Sequence, residues 1–335
     1  MKQPTPALRV GLALSGGGGK GSYQAGVFQA LHQLEARPLL RAVSGCSIGA
    51  LNALLLLAGT PEMWRDMWVG GSLWHTMTGG RADAIDPARL RELSLRATRA
   101  KSLPEYLAME SLLPQDSLRQ LLTDSLDPAL FSAGTRVSVC AYQLEAEEPR
   151  YFWLDQLPFA DAVEITVAST AIPVAFPPVE MGGNHYCDGG MTPPYSRKNN
   201  GDKTPILPLA SLELDLLLVV YLNHYDQVDR RQLSPGTALV ELYPSRPLEE
   251  SPGARTMDFT SPEVAWRMEL GYRDAMELLP PILSAARGGE PLAPLIAALD
   301  ARNAALLARE QAANRSVAAR ARRVRARLTA EGPSL

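Results

Sequence analysis

The stretch Gly45-Cys46-Ser47-Ile48-Gly49 constrains this chain more than any other. It follows a short apolar run at 39–43 and precedes a helix-like run at 50–58. A G-x-S-x-G set between a strand and a helix is the context of a nucleophile elbow, in which a serine sits on a sharp, strained turn. Flanking residues without a Cβ let neighbouring chain pass close. A helix starting behind the serine directs amide N–H groups and a positive dipole end toward a developing oxyanion. Taken alone, the pattern fits a glycine-rich turn with a capping serine equally well.

A second strand-to-helix junction lies upstream. Residues 8–15 read as a buried strand, and Gly16-Gly17-Gly18-Gly19-Lys20-Gly21 follows at once. Ser22 is placed to cap a helix running to about Glu35, with Ala25, Phe28, Leu31 and Leu34 at helical spacing. Five glycines in six residues bring backbone close to something, and a plain tight turn would be entropically costly. A P-loop fails twice, because Leu14 stands where its first glycine belongs and Gly21 follows the lysine. Gly16, Gly18 and Gly21 match a dinucleotide fingerprint, but the second strand leads into the elbow instead of ending on an acid. An oxyanion loop, with glycine N–H groups beside Ser47, accounts for both junctions together.

Composition narrows the setting. The 335 residues are 46% hydrophobic and 21% charged, with a net charge of −3, so no global basic field points to nucleic acid. Length permits one large domain or two ordinary ones. Charge is uneven: residues 301–328 carry eight arginines and one acid, Glu310, leaving a +7 segment on a body of −10. Interleaved with Val317, Val324 and Leu328, its arginines fit a surface-binding helix for an anionic membrane or a partner, or a solvated helix. Cys46, Cys140 and Cys187 form no C-x-x-C and no zinc spacing, which fits a reducing, cytoplasmic setting. The start reads as a strand, not a secretory signal. The longest apolar runs, 48–58 and 214–222, are too short to span a bilayer, so any membrane contact is peripheral.

Residues 60–80 carry Trp64, Trp68 and Trp74 with Met63, Met67 and Met77, either a core-facing helix or an aromatic face that meets lipid. Thr78-Gly79-Gly80 closes it as a loop. Two amphipathic helices are expected at 86–98 and 105–126, the second interrupted by Pro114. Strands are expected at 135–142, 151–154, 214–222 and 238–243, with a helix at 159–171. Gly182-Gly183-Asn184 joins two short strands, and Asp188 follows the second, ahead of Gly189 and Gly190. Alone, Asp188 reads as an ordinary Asp-Gly turn residue. Thr260-Ser261-Pro262-Glu263 starts a helix expected to stop at Pro280-Pro281. Residues 287–290 read as a linker to a helix or helix pair.

Taken together, strand–GGGGKG–helix, strand–GCSIG–helix and a late DGG after a hairpin resemble the patatin-like phospholipase family. The resemblance runs over residues 8–285, in blocks at 12–31, 43–54 and 168–190. It implies a three-layer α/β/α sandwich with a mostly parallel central sheet at 1–285. Residues 60–130 would be a helical insertion and 286–335 a basic helical extension. It further implies a Ser–Asp dyad with Ser47 as nucleophile and Asp188 as base. Gly17, Gly18 and Gly19 would be the oxyanion donors, and Lys20 takes the family's basic position. Gly16, Gly21, Gly45, Gly49, Gly189 and Gly190 complete the motifs. The chemistry expected is hydrolysis of acyl-ester lipids such as phospholipids or lysophospholipids, or of simpler esters and thioesters, with no metal and no cofactor. Burial should raise the Asp188 pKa toward that of a useful base. A Ser–His–Asp triad would recruit His185, three residues before Asp188, and a nucleotide-binding module would leave Ser47 and Asp188 unexplained.

Overall fold

The computed structural model describes residues 8–78, 86–129, 134–249, 259 and 262–330, the side chains of residue 87 and of 317–330 excepted. Gly79-Gly80 and the capping pair Thr260-Ser261 lie outside the described residues. The strands are β1 Val10–Leu14, β2 Leu40–Cys46, β3 Arg136–Gln143, β4 Glu148–Trp153, β5 Val179–Met181, β6 Asn184–Asp188, β7 Leu216–Val220 and β8 Ala238–Leu242. The helices are α1 Ser22–Gln33, α2 Ile48–Ala58, α3 Pro61–Trp68, α4 Ser72–Thr78, α5 Pro87–Ala97 and α6 Leu103–Leu107. After them come α7 Asp116–Ser125, α8 Phe159–Ser169, α9 Leu207–Ala210, α10 Glu263–Gly288 and α11 Ala293–Ala330.

These strands form one sheet. β8, β7, β1, β2 and β3 run parallel side by side in that order, and β4 and β6 pair antiparallel with β3. Five parallel neighbours buried on both faces explain why β1 and β7 read as near-continuous apolar runs. Alternation along β1 divides the core. Val10, Leu12 and Leu14 face the large core formed with α1, α2, α8 and α10, whereas Ala13 faces a smaller one with Leu209, Leu217, Val219 and Tyr221. The result is the expected three-layer α/β/α sandwich, with unequal outer layers.

Both β2 and β4 pair with β3 at Ser138–Cys140, so they occupy opposite edges of it. β4 keeps its edge to Gln143, so β6, which pairs with Ala141–Gln143, takes the edge that β2 has just vacated. β2 and β6 therefore meet end to end along one side of β3.

Several expected elements differ. α10 does not stop at Pro280-Pro281 but runs through both to Gly288, where Gly289 closes it with φ +71. Leu279, Ile282 and Leu283 continue its buried stripe across the prolines, and that burial holds the helix where local propensity breaks it. At the α1–α10 crossing, a Cβ on Gly26 would stand 1.8 Å from the Met268 carbonyl oxygen, so the two backbones touch. The expected helix at 105–126 is two, α6 and α7, with Leu112 and Leu113 donating to the Val174 and Ala175 carbonyls between them. Ser22 does not cap α1; it lies inside the helix and its hydroxyl donates to the Gly19 carbonyl.

The tail is one helix. The boundary expected at 286 falls inside α10, and α11 then returns to the sheet edge. Leu299 is buried, the Asn303 amide donates to the Glu241 carbonyl at 2.9 Å, and Asp300 pairs with Arg230. Among the described residues, no helix is long and apolar enough to cross a membrane.

Candidate active site

Ser47 is the single residue between β2 and α2. Its backbone is strained, with φ 56 and ψ −127, a region an L-residue holds only when its surroundings over-determine it. The two glycines of the motif supply that constraint. A Cβ on Gly45 would fall 2.3 Å from the Gly49 carbonyl oxygen, and one on Gly49 would fall 2.3 Å from the Leu14 carbonyl oxygen of β1. The strand end, the first turn of the helix and the neighbouring strand are thus pressed together at backbone distance. The Ser47 carbonyl accepts from the N–H groups of Ala50 and Leu51 and starts α2. Its hydroxyl makes no capping bond, although it stands at the N-cap position.

Asp188 arrives from the other direction. It is the last residue of β6 and pairs with Ala141, the rung of β3 directly after Cys140, which pairs with Cys46. The end-to-end meeting of β2 and β6 therefore places Asp188 beside the residue that precedes Ser47. The Cys46 thiol lies 3.9 Å from Asp188 Oδ1, and the Gly190 N–H donates to the same oxygen at 2.9 Å. This last bond is the local turn expected of Asp-Gly-Gly, so the turn and the site coexist in one residue. The Asp188 N–H donates to the Ala171 carbonyl at 2.9 Å. Asp188 is only 2% exposed, and burial pushes its pKa up to about 6. The nearby Ser47 side chain, the Gly190 N–H and Cys46 thiol that donate to it, and the charge of Lys203 hold it from rising further.

The glycine run closes the third side. A Cβ on Gly16 would meet both the Cys46 carbonyl oxygen and Ser47 Cβ at 3.2 Å, so this loop lies against the elbow. Gly17 packs on Leu222, and Gly18–Gly21 form a 3₁₀ turn continuous with α1. The first N–H groups of such a turn have no acceptor within it. Side chains from three helices hold the loop. Gln24 donates to the Ser15 carbonyl, Asn52 donates to the Gly21 carbonyl and to Gln24, and the Trp68 indole donates to Asn52. Trp68 and Trp64 are buried, which selects the core-facing reading over the lipid-facing one for both; Trp68 serves the loop from inside the core. Lys20 is held in an ion pair with Glu249 at 2.8 Å.

Two contributors carry no local motif. Ser169, at the end of α8, accepts from the Ser47 N–H at 2.9 Å and donates to the Cys140 carbonyl at 2.6 Å. The loop 201–204 joins the other two sides. The Asp202 N–H donates to the Gly189 carbonyl, the Gly16 N–H donates to the Lys203 carbonyl, and the Thr204 and Ser15 hydroxyls share a 2.6 Å bond. Asp202 is itself fixed by the Tyr151 hydroxyl.

No histidine joins the cluster. His185 lies on the strand surface with its Nδ1 2.7 Å from Glu145 Oε1. His224 is buried between the Pro244 carbonyl and Glu310 of α11. His32 packs edge-on to Trp64, and His75 is exposed on α4. The triad expectation is therefore not supported by position. Among the described residues, no group of three or more histidine, cysteine or carboxylate side chains is arranged to hold a metal ion.

The family model for patatin-like phospholipase matches residues 12–196, more than half of the chain. Among solved structures, VipD from Legionella pneumophila is 16% identical, with a TM-score of 0.47 over 83% of this chain and 67% of that one. Human GIVD cytosolic phospholipase A2, bound to methyl γ-linolenyl fluorophosphonate, is 14% identical, with a TM-score of 0.44 over 84% of this chain and 59% of that one. The ExoU–SpcU complex of Pseudomonas aeruginosa gives 18% identity and a TM-score of 0.36, over 81% of this chain and 51% of that one. The chain thus spans less than two thirds of the human and Pseudomonas proteins. No curated protein is matched by sequence.

Proposed function

The chain belongs to the patatin-like phospholipase family, and from that premise we propose that it is a lipid acyl hydrolase working through Ser47 and Asp188. Support comes from one observation above all: the register of β3 sets Cys46 and Asp188 on adjacent rungs, with Gly16 against Ser47 on the remaining side. A hydroxyl, a carboxylate and a bare stretch of backbone converge from three distant parts of the chain.

The chemistry is acyl transfer in two halves. Ser47 Oγ attacks the ester carbonyl carbon as its proton passes to Asp188. The carbonyl oxygen becomes an oxyanion, stabilised by the N–H groups of Gly17, Gly18 and Gly19. Removal of one such donor costs about 100- to 1000-fold in rate. Collapse of the tetrahedral intermediate breaks the ester C–O bond, and the departing alcohol takes the proton from Asp188. Water then attacks the acyl-serine, gives a proton to Asp188, and releases the fatty acid as Ser47 recovers its own. A carboxylate with a pKa near 6 is ionised at neutral pH yet basic enough to accept a proton in passing.

The substrates proposed are phospholipids or lysophospholipids. The basic end of α11 extends beyond the last described bond of that helix to the body, Asn314 to Tyr225, and five arginines follow between 320 and 327. They would draw the enzyme to an anionic membrane face. The decisive experiment is hydrolysis across a panel of phospholipids, lysophospholipids and short nitrophenyl esters, with Ser47→Ala as control. Loss of all activity in the variant is expected. Activity that survives Ser47→Ala refutes the assignment.

A further inference from the structure

The geometry points to Ser169 as a positioning residue for this reaction, an inference that rests on Ser47 being the nucleophile. Ser169 closes α8 and is fully buried. Its hydroxyl has one hydrogen to give, and that goes to the Cys140 carbonyl at 2.6 Å, so the oxygen is left to accept the Ser47 N–H at 2.9 Å. One side chain thereby clamps the elbow to the last β2–β3 rung, where Cys46 pairs with Cys140.

The clamp falls where it is needed. Ser47 holds φ 56 and ψ −127, and such a backbone persists only when fixed on both sides. On its C-terminal side, the carbonyl is fixed by the amides of Ala50 and Leu51. On its N-terminal side, the hold on the N–H comes from Ser169. Two residues later, the Ala171 carbonyl takes the Asp188 N–H at 2.9 Å, so the same helix end references both members of the pair. A second consequence concerns the oxyanion. With its N–H committed to Ser169, Ser47 does not itself supply an oxyanion donor, which leaves the glycine loop and the first amides of α2.

The test compares Ser169→Ala, which leaves two buried backbone groups unpartnered, with Ser169→Cys, which keeps the volume but bonds weakly. A shift of the attacking oxygen by about 1 Å costs roughly 100-fold in rate. The expected result is a fall in kcat of that order for a nitrophenyl ester, with KM unchanged. The rate at which a fluorophosphonate labels Ser47 should fall in parallel. Active-site titration separates this from a merely structural role, which would reduce the number of sites titrated and leave the rate per site intact. A rate per titrated site within about threefold of the parent in either folded variant would overturn the inference. Should neither variant fold, hydrogen exchange in the parent decides. Slow exchange at the Ser47 amide supports the clamp, and exchange at the rate of an exposed amide contradicts it. Loss of activity in Ser47→Ala alongside an unaffected Ser169 series would refute only the clamp, whereas activity surviving Ser47→Ala would refute the nucleophile itself.

Discussion

The thiol of Cys46 lies 3.9 Å from the carboxylate of Asp188, although 142 positions separate the two residues in the chain. The contact follows from the pairing of β3, which gives its early rungs to β2 and its late rungs to β6. Because Cys46 immediately precedes Ser47, bringing it to Asp188 brings the serine too. The relationship is a property of strand register, so it is set by the fold before any side chain is chosen.

The pH dependence of hydrolysis follows from the burial of that carboxyl. Asp188 accepts a proton only when ionised, and its pKa is pushed up to about 6. The kcat/KM of ester hydrolysis should therefore rise tenfold per pH unit below about 6 and level off above it. A pH–rate profile on a nitrophenyl ester checks this, and a rate that stays flat down to pH 4 would assign the base elsewhere.

The same burial has a cost for the fold. A carboxyl with a pKa of 3.8 when unfolded and about 6 when folded binds more protons in the folded state between those values, so stability declines as pH rises through that window. Asp188→Asn should abolish hydrolysis and, at pH 7 to 8, stabilise the protein by up to about 3 kcal/mol. The gain should shrink between pH 6 and pH 4. Denaturant unfolding of parent and variant at both ends of that range measures it.

Two glycine substitutions should separate folding from chemistry. Gly49→Ala drives a Cβ to 2.3 Å from the Leu14 carbonyl oxygen, a backbone atom that cannot yield, and should cost roughly 3 kcal/mol or more. Gly16→Ala meets Ser47 Cβ and the Cys46 carbonyl oxygen at 3.2 Å, which a small shift relieves. That variant should fold and lose about tenfold or more in kcat. Thermal unfolding beside kcat for the two variants reports the contrast.

His185→Ala should leave the rate unchanged. The ring pairs with Glu145, both side chains being roughly one third exposed, and such a pair contributes about 0–1 kcal/mol. A hundredfold loss of kcat with the fold intact would restore the triad.

Removal of residues 316–335 takes away the last five arginines and leaves the bonds of α11 to the body in place. Hydrolysis of a soluble ester should be unaffected. Binding to vesicles containing anionic lipid should weaken at least tenfold, since each arginine near such a surface contributes about 1 kcal/mol. Added salt should reproduce the loss in the full chain; equal binding by both forms would assign the tail no membrane role.

Much of this arrangement was legible because it is written in glycine. Gly16, Gly45 and Gly49 are where backbone or Ser47 approaches too closely for a side chain, and a strand ending in such a cluster declares a junction. The buried strands were legible from their unbroken apolar runs. Other features were not, because their causes lie far off in the chain. The continuation of α10 through Pro280 and Pro281 depends on burial of Leu279, Ile282 and Leu283. Ser169 reaches Ser47 across 122 positions, and Lys203 offers its carbonyl to Gly16 from beyond the β6 turn. A serine at a helix end and a short polar loop carry no periodicity that would announce either contact. Trp68 allowed two readings, a core-facing helix or an interface; it lies in the core, where its N–H serves Asn52.

The most direct measurement is mass spectrometry of the acid-quenched protein during turnover of a nitrophenyl ester. A single acyl group on the peptide containing Ser47, formed by the parent at pH 8 and absent from Asp188→Asn, is the predicted result. Acylation at another residue, or acylation of Ser47 at the parent's rate without Asp188, would contradict it.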